Sequence, residues 1–410
     1  MPSDRESSAG RAGLPPKTTA FPRKLLAMLW RHPGMFRNLA REEFRRRWGI
    51  PRDRKRRNGL SGFPVSLNLN LTRRCNLKCR MCEQHRHTAG QPAGLSWYDP
   101  DRELPLSAWT ALFDQVAGFR PRLYLTGGEP TLYRDFPGLV REAKRRGLVV
   151  HLQTNGTLLD QMADLLVTAG VEMVTVSLDG PQEIHDFVRG QAGVFRRSAA
   201  GIAALVAART RLQEPGPLLI LNCVISKANL AGLDQIVPLA LELGADALQL
   251  QHTMFNSAAN VARHNLLMSP RWSQEHGVDL VFPTIPAGEF YQSEIVREDL
   301  PLLRDRLRQI VRLARGRLKL NFLPNLPLDK LASYYLDLKY PALQKCDALW
   351  KSCRILPDGT VSPCLHVVAG NIVEQPFREI WNGASLRNFR QVLTRRLLPG
   401  CARCCSRSVS

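Results

Sequence analysis

The sequence predicts an α/β fold in which a parallel sheet of about six strand-helix units lies between a basic helical N-terminal extension and a small cysteine-rich C-terminal domain. Three observations support this prediction. Short β-prone runs alternate with stretches of helical periodicity from Val65 onward, basic residues are concentrated near the N-terminus, and six of the ten cysteines lie beyond residue 340. With 410 residues, 44% of them hydrophobic, the chain can bury a large core.

The N-terminal extension, residues 1–64, is strongly basic. Residues 1–57 carry 16 Lys and Arg against 5 Asp and Glu. Residues 1–22 lack periodic apolar positions and are expected to be disordered. Between Arg23 and Trp48, apolar residues at helical spacing predict two short amphipathic helices, with 52–59 as an exposed linker. Either the apolar face packs on the following domain, or the helices lie on an anionic membrane surface.

The same segment bears on localisation. No run of roughly eighteen uncharged apolar residues occurs, and MPSDRESSAGRAG lacks the apolar core of a signal peptide. We therefore expect a cytoplasmic protein, with peripheral attachment at the inner face of the membrane as a further option. In a reducing cytoplasm, clustered thiols more often bind metal than form disulfides.

Six β-prone runs define the central domain, residues 65–265. They are VSLNLNL, RLYLT, VVHLQT, VEMVTVSL, LLILNCVI and ALQLQ. Their alternation with helical stretches indicates a parallel sheet, open or closed into a barrel, although six units are fewer than the usual barrel has. Ligands of such sheets bind at the carboxyl ends of the strands. The pattern loosens in residues 266–340, a predicted connecting region before a C-terminal domain of residues 341–410.

Three cysteines, Cys75, Cys79 and Cys82, directly follow the first predicted strand. Three thiolates from one loop can ligate three irons of a [4Fe-4S] cluster and leave the fourth iron open to substrate chemistry. A zinc site completed by His85 is the alternative, because structural zinc takes four ligands. The isolated Cys223 lies in an apolar run and is expected to be a core residue.

A glycine-rich segment follows the second predicted strand, and it comprises Gly127, Gly128, Glu129 and Pro130. The three-cysteine loop after the first strand and Gly-Gly-Glu-Pro after the second, in this order, resemble the radical S-adenosylmethionine (SAM) superfamily. Met81 departs from the aromatic residue that often precedes the third cysteine in that family. The resemblance implies a partial (β/α)6 TIM-like barrel.

The resemblance also implies the chemistry and the cofactors. SAM chelates the open iron, one-electron reduction cleaves its sulfonium bond, and the resulting 5′-deoxyadenosyl radical abstracts a substrate hydrogen. Gly127 and Gly128 are expected to let the backbone approach the methionine part of SAM, and Glu129 or main-chain groups are expected to hold its ammonium.

Further SAM contacts are implied by SLDGPQEIHDFVRG, which resembles the fourth-strand segment of the family. By this resemblance Ser177 and Asp179 lie near the ribose and methionine of SAM, and Arg189 pairs with its carboxylate. The predicted SAM-binding residues are Gly127, Gly128, Glu129, Pro130, Asn155, Ser177, Asp179 and Arg189.

The C-terminal sequence resembles the SPASM domain, or its shortened twitch form, of many radical SAM enzymes. The matching residues are Cys346, Gly359, Cys364, Cys401 and Cys404. Four thiolates predict one fully ligated auxiliary [4Fe-4S] cluster, which suits an electron relay. Cys353 and Cys405 are left over, so a second cluster stays open, as does a four-thiolate zinc site.

Three functions are compatible with these patterns. The first is a radical SAM enzyme acting on a small molecule or lipid, and the second is a peptide or protein maturase, although residues 1–64 lack a strand-rich recognition module. The third is a non-enzymatic zinc module that uses the net charge of +21 to bind nucleic acid, which we do not expect to be a partner. The expected partner is a flavodoxin- or ferredoxin-type reductant. No catalytic acid or base is assigned among the candidates, which are Glu83, His85, His252 and Tyr291.

Overall fold

One ten-stranded sheet organises the fold in the computed structural model, which describes residues 29–30, 33–56, 58–82, 102–280, 293–338, 346–364 and 367–404. The strands are β1 (Ser66–Asn70), β2 (Arg122–Thr126), β3 (Val149–Thr154), β4 (Met173–Ser177), β5 (Leu218–Ile225), β6 (Ala247–His252), β7 (Lys319–Leu323), β8 (Ser352–Ile355), β9 (Thr360–Val361) and β10 (Gly370–Asn371). Their order is β10-β9-β8-β1-β2-β3-β4-β5-β6-β7. From β8 to β7 the strands pair in parallel, whereas β9 and β10 pair antiparallel.

Helices connect the parallel strands. The described helices are α1 (Pro33–Phe44), α2 (Ile50–Arg56), α3 (Leu106–Val116), α4 (Phe136–Arg145), α5 (Leu159–Thr168), α6 (Gln182–Arg189), α7 (Val194–Arg211), α8 (Ile236–Glu242), α9 (Ala258–Leu267), α10 (Pro270–His276), α11 (Leu300–Ala314), α12 (Leu331–Leu336), α13 (Ala348–Lys351), α14 (Phe377–Trp381) and α15 (Ala384–Arg395). In the part of the chain that the structure describes, every helix is too short or too polar to span a bilayer.

The two faces of the sheet differ in polarity. Leucines such as Leu67 and Leu123 are fully buried on one face, where the helices pack. Because side chains alternate along a strand, the residues between these leucines point to the opposite face. Most of them are polar, and their side chains are partly exposed or buried. We call this the polar face and define it by Asn68, Tyr124, Gln153, Ser177, Asn222 and Gln249. The sheet therefore separates the hydrophobic core on its leucine-rich face from a surface on its polar face that suits a polar ligand.

All six predicted strands form, and the sheet has strands that the sequence did not predict. β7 lies within the expected connecting region and pairs with β6, and β8 comes from the C-terminal region and pairs with β1. Both are short, and β7 has exposed residues at each end, so neither gives a clear apolar pattern. The C-terminal region therefore shares the sheet of the central domain.

The N-terminal helices pack against the amino ends of the strands. Asn38 Nδ2 in α1 donates to Arg120 O at 2.8 Å, and Glu42 forms an ion pair with Arg122 at 3.0 Å. The run expected to be an exposed linker is instead helical as far as Arg56, and its Asp53 is buried and accepts hydrogen bonds from Arg45 and the Gly62 amide. A π-helical turn, Arg45–Gly49, joins α1 to α2.

Two histidines of the sheet, the partly exposed His151 and the buried His252, predict acid sensitivity. Burial lowers the pKa of His151 to about 3 and that of His252 to about 4. The unfolded chain takes up both protons near pH 6.5, so stability is complete above this pH and falls below it, by up to about 1.4 kcal/mol per pH unit per histidine. Urea unfolding across this range measures the slope. We expect His151→Gln to flatten it, and an unchanged slope would contradict the assignment.

Candidate active site

The cysteine loop leaves the carboxyl end of β1. Leu71 N donates to Thr126 O at 2.9 Å, which holds the start of the loop beside the end of β2. Cys75, Cys79 and Cys82 are all partly exposed, and Cys82 N donates to Cys79 O at 3.1 Å. The loop therefore lies where ligands of parallel sheets bind.

The Gly-Gly-Glu-Pro turn after β2 contacts the first part of this loop. Gly128 N donates to Thr72 O and Glu129 N to Arg74 O, both at 2.8 Å. A Cβ on Gly127 would lie 2.4 Å from Thr72 O, and one on Gly128 would lie 2.3 Å from Arg74 O. The glycines are required for this backbone contact with the cysteine loop, a reason that differs from the expected approach to SAM.

Glu129 joins the second and third strand ends. Its Oε1 accepts hydrogen bonds from Thr131 Oγ1 at 2.6 Å and Thr154 Oγ1 at 2.7 Å, and its Oε2 accepts one from Asn155 N at 2.8 Å. Burial raises the pKa of the carboxyl group, while these donors oppose the shift. The side chain is 1% exposed, so it braces the turn from inside. Pro130 begins the 3-10 turn that follows.

The loop after β3 contacts the middle of the cysteine loop. Asn155 Nδ2 donates to Asn76 Oδ1 at 2.9 Å, and Asn76 Nδ2 donates to Thr157 Oγ1 at 2.8 Å. Sequence reasoning missed Asn76, whose position between Cys75 and Cys79 was the available signal. It also missed Glu103, which pairs with Arg74 at 2.9 Å.

The end of α6 contacts the last part of the loop. Arg80 N donates to Val188 O at 3.0 Å, and the Arg80 guanidinium stacks on the Phe187 ring at 4.1 Å. A Cβ on Gly190 would lie 2.5 Å from Lys78 O. The ends of β2 and β3 and the end of α6 therefore fix the path of the cysteine loop.

Arg189 and Asp179 form a buried ion pair beside Cys79. Arg189 Nη2 lies 2.7 Å from Asp179 Oδ2, and Arg189 Nη1 lies 3.8 Å from Cys79 Sγ. Asp179 Oδ1 also accepts from Val224 N at 3.2 Å. Arg189 Nε is buried and finds no partner among the described residues. Because Nη1 faces the cysteine loop rather than Asp179, this end of the guanidinium suits a carboxylate ligand beside the loop.

Ser177 belongs to a hydrogen-bonded row on the polar face. Tyr124 Oη donates to Gln153 Oε1 at 2.7 Å, and Gln153 Nε2 donates to Ser177 Oγ at 3.0 Å. On the next strands, Gln249 Nε2 donates to Asn222 Oδ1 at 2.7 Å. The row extends directly from the loop end of β4, so a ligand there would meet uncharged donors and acceptors.

The thiols of the loop are near one another without enclosing a single ion. Burial raises the pKa of Cys75 to about 11, and the nearby charges of Glu129, Cys79 and Cys82 add smaller contributions in the same direction. Among the described residues, no three Cys, His, Asp or Glu side chains converge as ligands of one metal ion. His85, the proposed fourth zinc ligand, lies outside the described residues, as do Glu83 and Tyr291.

The C-terminal region brings its own cysteines around short turns. Cys346 is buried, and Cys364, Cys401 and Cys404 are partly exposed. Gly359 has a φ of +90° in the turn after β8, which favours glycine. These thiols are the predicted auxiliary set.

The remaining C-terminal cysteines are not equivalent to that set. Cys353 is 1% exposed in β8 and is paired in register with Leu67, so it faces the helices rather than the polar face. Cys353 is therefore a core residue, and its burial raises the pKa of the thiol to about 12. Cys405 lies outside the described residues.

The fold and the two cysteine sets define an iron-sulfur protein built on a parallel sheet. Residues 69–212 match the family described as Radical SAM superfamily, and residues 346–405 match SPASM, an iron-sulfur cluster-binding domain. The AdoMet-dependent heme synthase of Methanosarcina barkeri is 32% identical over 342 residues, which cover 80% of this chain and 84% of the relative. The PqqA peptide cyclase of Ruegeria pomeroyi is 30% identical over 339 residues, covering 80% and 76%.

Solved structures have the same fold. Streptococcus suis SuiB bound to the precursor peptide SuiA gives a TM-score of 0.56 at 15% identity, with 82% of this chain and 69% of SuiB covered. The anSMEcpe structure with bound AdoMet gives 0.53 at 19% identity, with 78% and 82% covered.

The chain belongs to the radical SAM superfamily and carries a SPASM domain. It is an enzyme that uses SAM and a [4Fe-4S] cluster, and its SPASM domain binds auxiliary iron-sulfur clusters. This assignment replaces the hypothesis of a non-enzymatic zinc module.

Proposed function

We propose that this enzyme abstracts a hydrogen atom from a polar small molecule bound on the polar face. Cys75, Cys79 and Cys82 would hold the SAM-binding cluster, which supplies the electron for SAM cleavage. Arg189 would bind the SAM carboxylate, and the buried Asp179 would position Arg189. The hydrogen-bonded row on the polar face is the observation that carries the substrate proposal, since it begins beside this site.

Arg354 extends the substrate proposal to molecules that carry an acidic group. By strand alternation its side chain belongs to the polar face, opposite Asn68 in the register. Its Nη2 donates to Ser362 Oγ at 3.0 Å, and its buried Nε has no partner among the described residues. The planar guanidinium matches the geometry of a carboxylate, so an acidic group on the substrate would pair with Arg354.

A peptide maturase is the second candidate. Similarity to a PqqA peptide cyclase and to the fold of SuiB favours it. Against it, the described part of residues 1–64 contains helices but no strand.

Product formation separates the two candidates. The anaerobic enzyme with SAM and dithionite would receive either the small-molecule fraction or the peptide fraction of a cell extract, and 5′-deoxyadenosine would be measured. We expect the small-molecule fraction to accelerate product formation, and Arg354→Gln to reduce that stimulation without lowering the background rate. Stimulation by peptides alone would favour the maturase, and no stimulation by either fraction would contradict both.

We further propose that Cys346, Cys364, Cys401 and Cys404 would hold one auxiliary [4Fe-4S] cluster, which would supply an electron relay for a flavodoxin- or ferredoxin-type reductant. Arg403 would position the last two ligands. It is buried, donates through Nη2 to Ser333 O at 3.0 Å and to Asp337 O at 2.7 Å, and stacks on Tyr334 at 4.8 Å. These bonds attach the Cys401–Cys404 turn to the end of α12.

Replacing Arg403 should release that turn. We expect Arg403→Gln to lower the iron content from about eight to about four per chain, because one of two four-iron clusters is lost. Iron and sulfide analysis after anaerobic reconstitution measures this. Arg396→Gln, at an exposed arginine of the same segment, is the matched control and should retain full iron. Full iron in Arg403→Gln would contradict the positioning role.

A further inference from the structure

The helical segment of residues 33–56 has two unlike faces. Its inner face combines the buried apolar residues Met35 and Ile50 with several polar contacts. Asn38 is 7% exposed and bonds to a backbone carbonyl, and Glu42 is paired with Arg122. Arg45 and Asp53 pair at 2.9 Å at the junction with the C-terminal region. Apolar packing and polar contacts together therefore hold the segment on the protein.

The outer face carries the large aromatic side chains. Phe36, Phe44 and Trp48 are 58%, 64% and 62% exposed, and Trp30, just before the segment, is 89% exposed. Spacings of eight and four residues put the first three on one side of the helix. The opposite side of the segment already packs on the protein, so large aromatic side chains exposed on this side mark an interaction surface.

The charge of the outer face is strongly positive. The exposed charged residues of the segment are seven Lys or Arg and one Glu, namely Arg37, Arg41, Glu43, Arg46, Arg47, Arg52, Lys55 and Arg56. Glu43 is paired with Arg46 at 2.6 Å, and the Arg47 guanidinium lies 5.9 Å from the centre of the Trp48 ring. We call this surface, with Phe36, Phe44 and Trp48, the aromatic-basic face.

We propose that the aromatic-basic face docks the enzyme on an anionic lipid bilayer. Aromatic rings enter the headgroup layer, while arginines beside them contact lipid phosphates. Basic side chains flank each aromatic along the helix, which suits a continuous layer of negative charge. Residues 33–56 thus act as a surface anchor without crossing the membrane.

The position of this face determines how the docked enzyme is oriented. α1 contacts Arg122 and Leu218, the first residues of β2 and β5. The cysteine loop, by contrast, contacts Thr126, the last residue of β2. The docked enzyme therefore turns its candidate site away from the bilayer. This orientation, which rests on the proposed function, favours a water-borne substrate over a lipid drawn from the same membrane.

Vesicle binding tests the docking without measuring activity. The full-length enzyme would be co-sedimented with vesicles of phosphatidylglycerol and phosphatidylcholine, and with vesicles of phosphatidylcholine alone. We expect binding to the anionic vesicles that weakens as salt is added. Phe44→Ser and Trp48→Ser should each lower the partition coefficient roughly tenfold. Arg37→Gln and Arg41→Gln should each lower it about fivefold.

A control variant on α11 distinguishes binding through the aromatic-basic face from nonspecific binding through any exposed basic and apolar side chains. Arg312→Gln with Leu313→Ser removes an exposed arginine and an exposed leucine far from the N-terminal helices in sequence, and it should bind vesicles like the wild type. Circular dichroism would verify that every variant is folded. Absence of binding to anionic vesicles, equal binding to neutral ones, or binding unaffected by the aromatic replacements would overturn the proposal. If the wild-type enzyme binds anionic vesicles but does not cleave SAM, the result would count against the proposed function alone.

Discussion

Gly128→Ala is expected to abolish SAM cleavage by displacing the cysteine loop. The added Cβ would lie 2.3 Å from Arg74 O and 2.6 Å from Arg73 O. Both are backbone atoms, so no side-chain rotation relieves the overlap. The loop must move, and the bonds that Gly128 N and Glu129 N donate to it are lost. A shift of about 1 Å at a reacting centre can cost about a hundredfold in rate.

Iron content and product formation together measure this effect. We expect about four irons per chain instead of about eight, since the SAM-binding cluster is lost and the auxiliary one is retained. Gly118→Ala is the matched control, because no atom lies within 4 Å of its added Cβ. Full iron and normal 5′-deoxyadenosine in Gly128→Ala would show that the loop does not need this contact.

Arg189→Leu is expected to weaken SAM binding at least thirtyfold while the iron content is unchanged. Loss of a charge-assisted hydrogen bond to the SAM carboxylate costs roughly 2 kcal/mol or more. The variant also leaves Asp179 buried and unpaired, which destabilises the fold by about 3–5 kcal/mol. Titration calorimetry with SAM measures the affinity, and thermal unfolding measures the stability.

The double variant Asp179→Asn with Arg189→Leu distinguishes the two effects. It removes the unpaired charge, and the amide oxygen of the introduced side chain can still accept the bond from Val224 N, so we expect stability to recover. SAM affinity should stay low, because the guanidinium is still absent. Recovery of SAM affinity in the double variant would assign Arg189 a purely structural role.

Much of the fold could be predicted from the sequence because the central strands have strong local patterns. LLILNCVI and VEMVTVSL are apolar, β-prone and bounded by turn residues, and both form buried strands. By contrast, SCRI in β8 is four residues long and is stabilised by pairing with β1, a partner almost three hundred residues away in sequence. No local pattern encodes such a contact.

The candidate site was predictable in its residues but less so in their contacts. The spacing of Cys75, Cys79 and Cys82 identified the loop, and glycines marked the turn that contacts it. The sequence could not show that both carboxylate oxygens of Glu129 accept hydrogen bonds from neighbouring residues of the protein. Likewise, pairing between Asp179 and Arg189 depends on how α6 packs beside β4.

Metal analysis combined with a SAM cleavage assay tests the central claim most directly. Wild type and Cys79→Ala would be purified and reconstituted without oxygen, and iron, sulfide, zinc and 5′-deoxyadenosine would be quantified. The account predicts about eight irons per wild-type chain, about four in the variant, and product from the wild type alone. Zinc in place of iron, or equal product from both proteins, would contradict it.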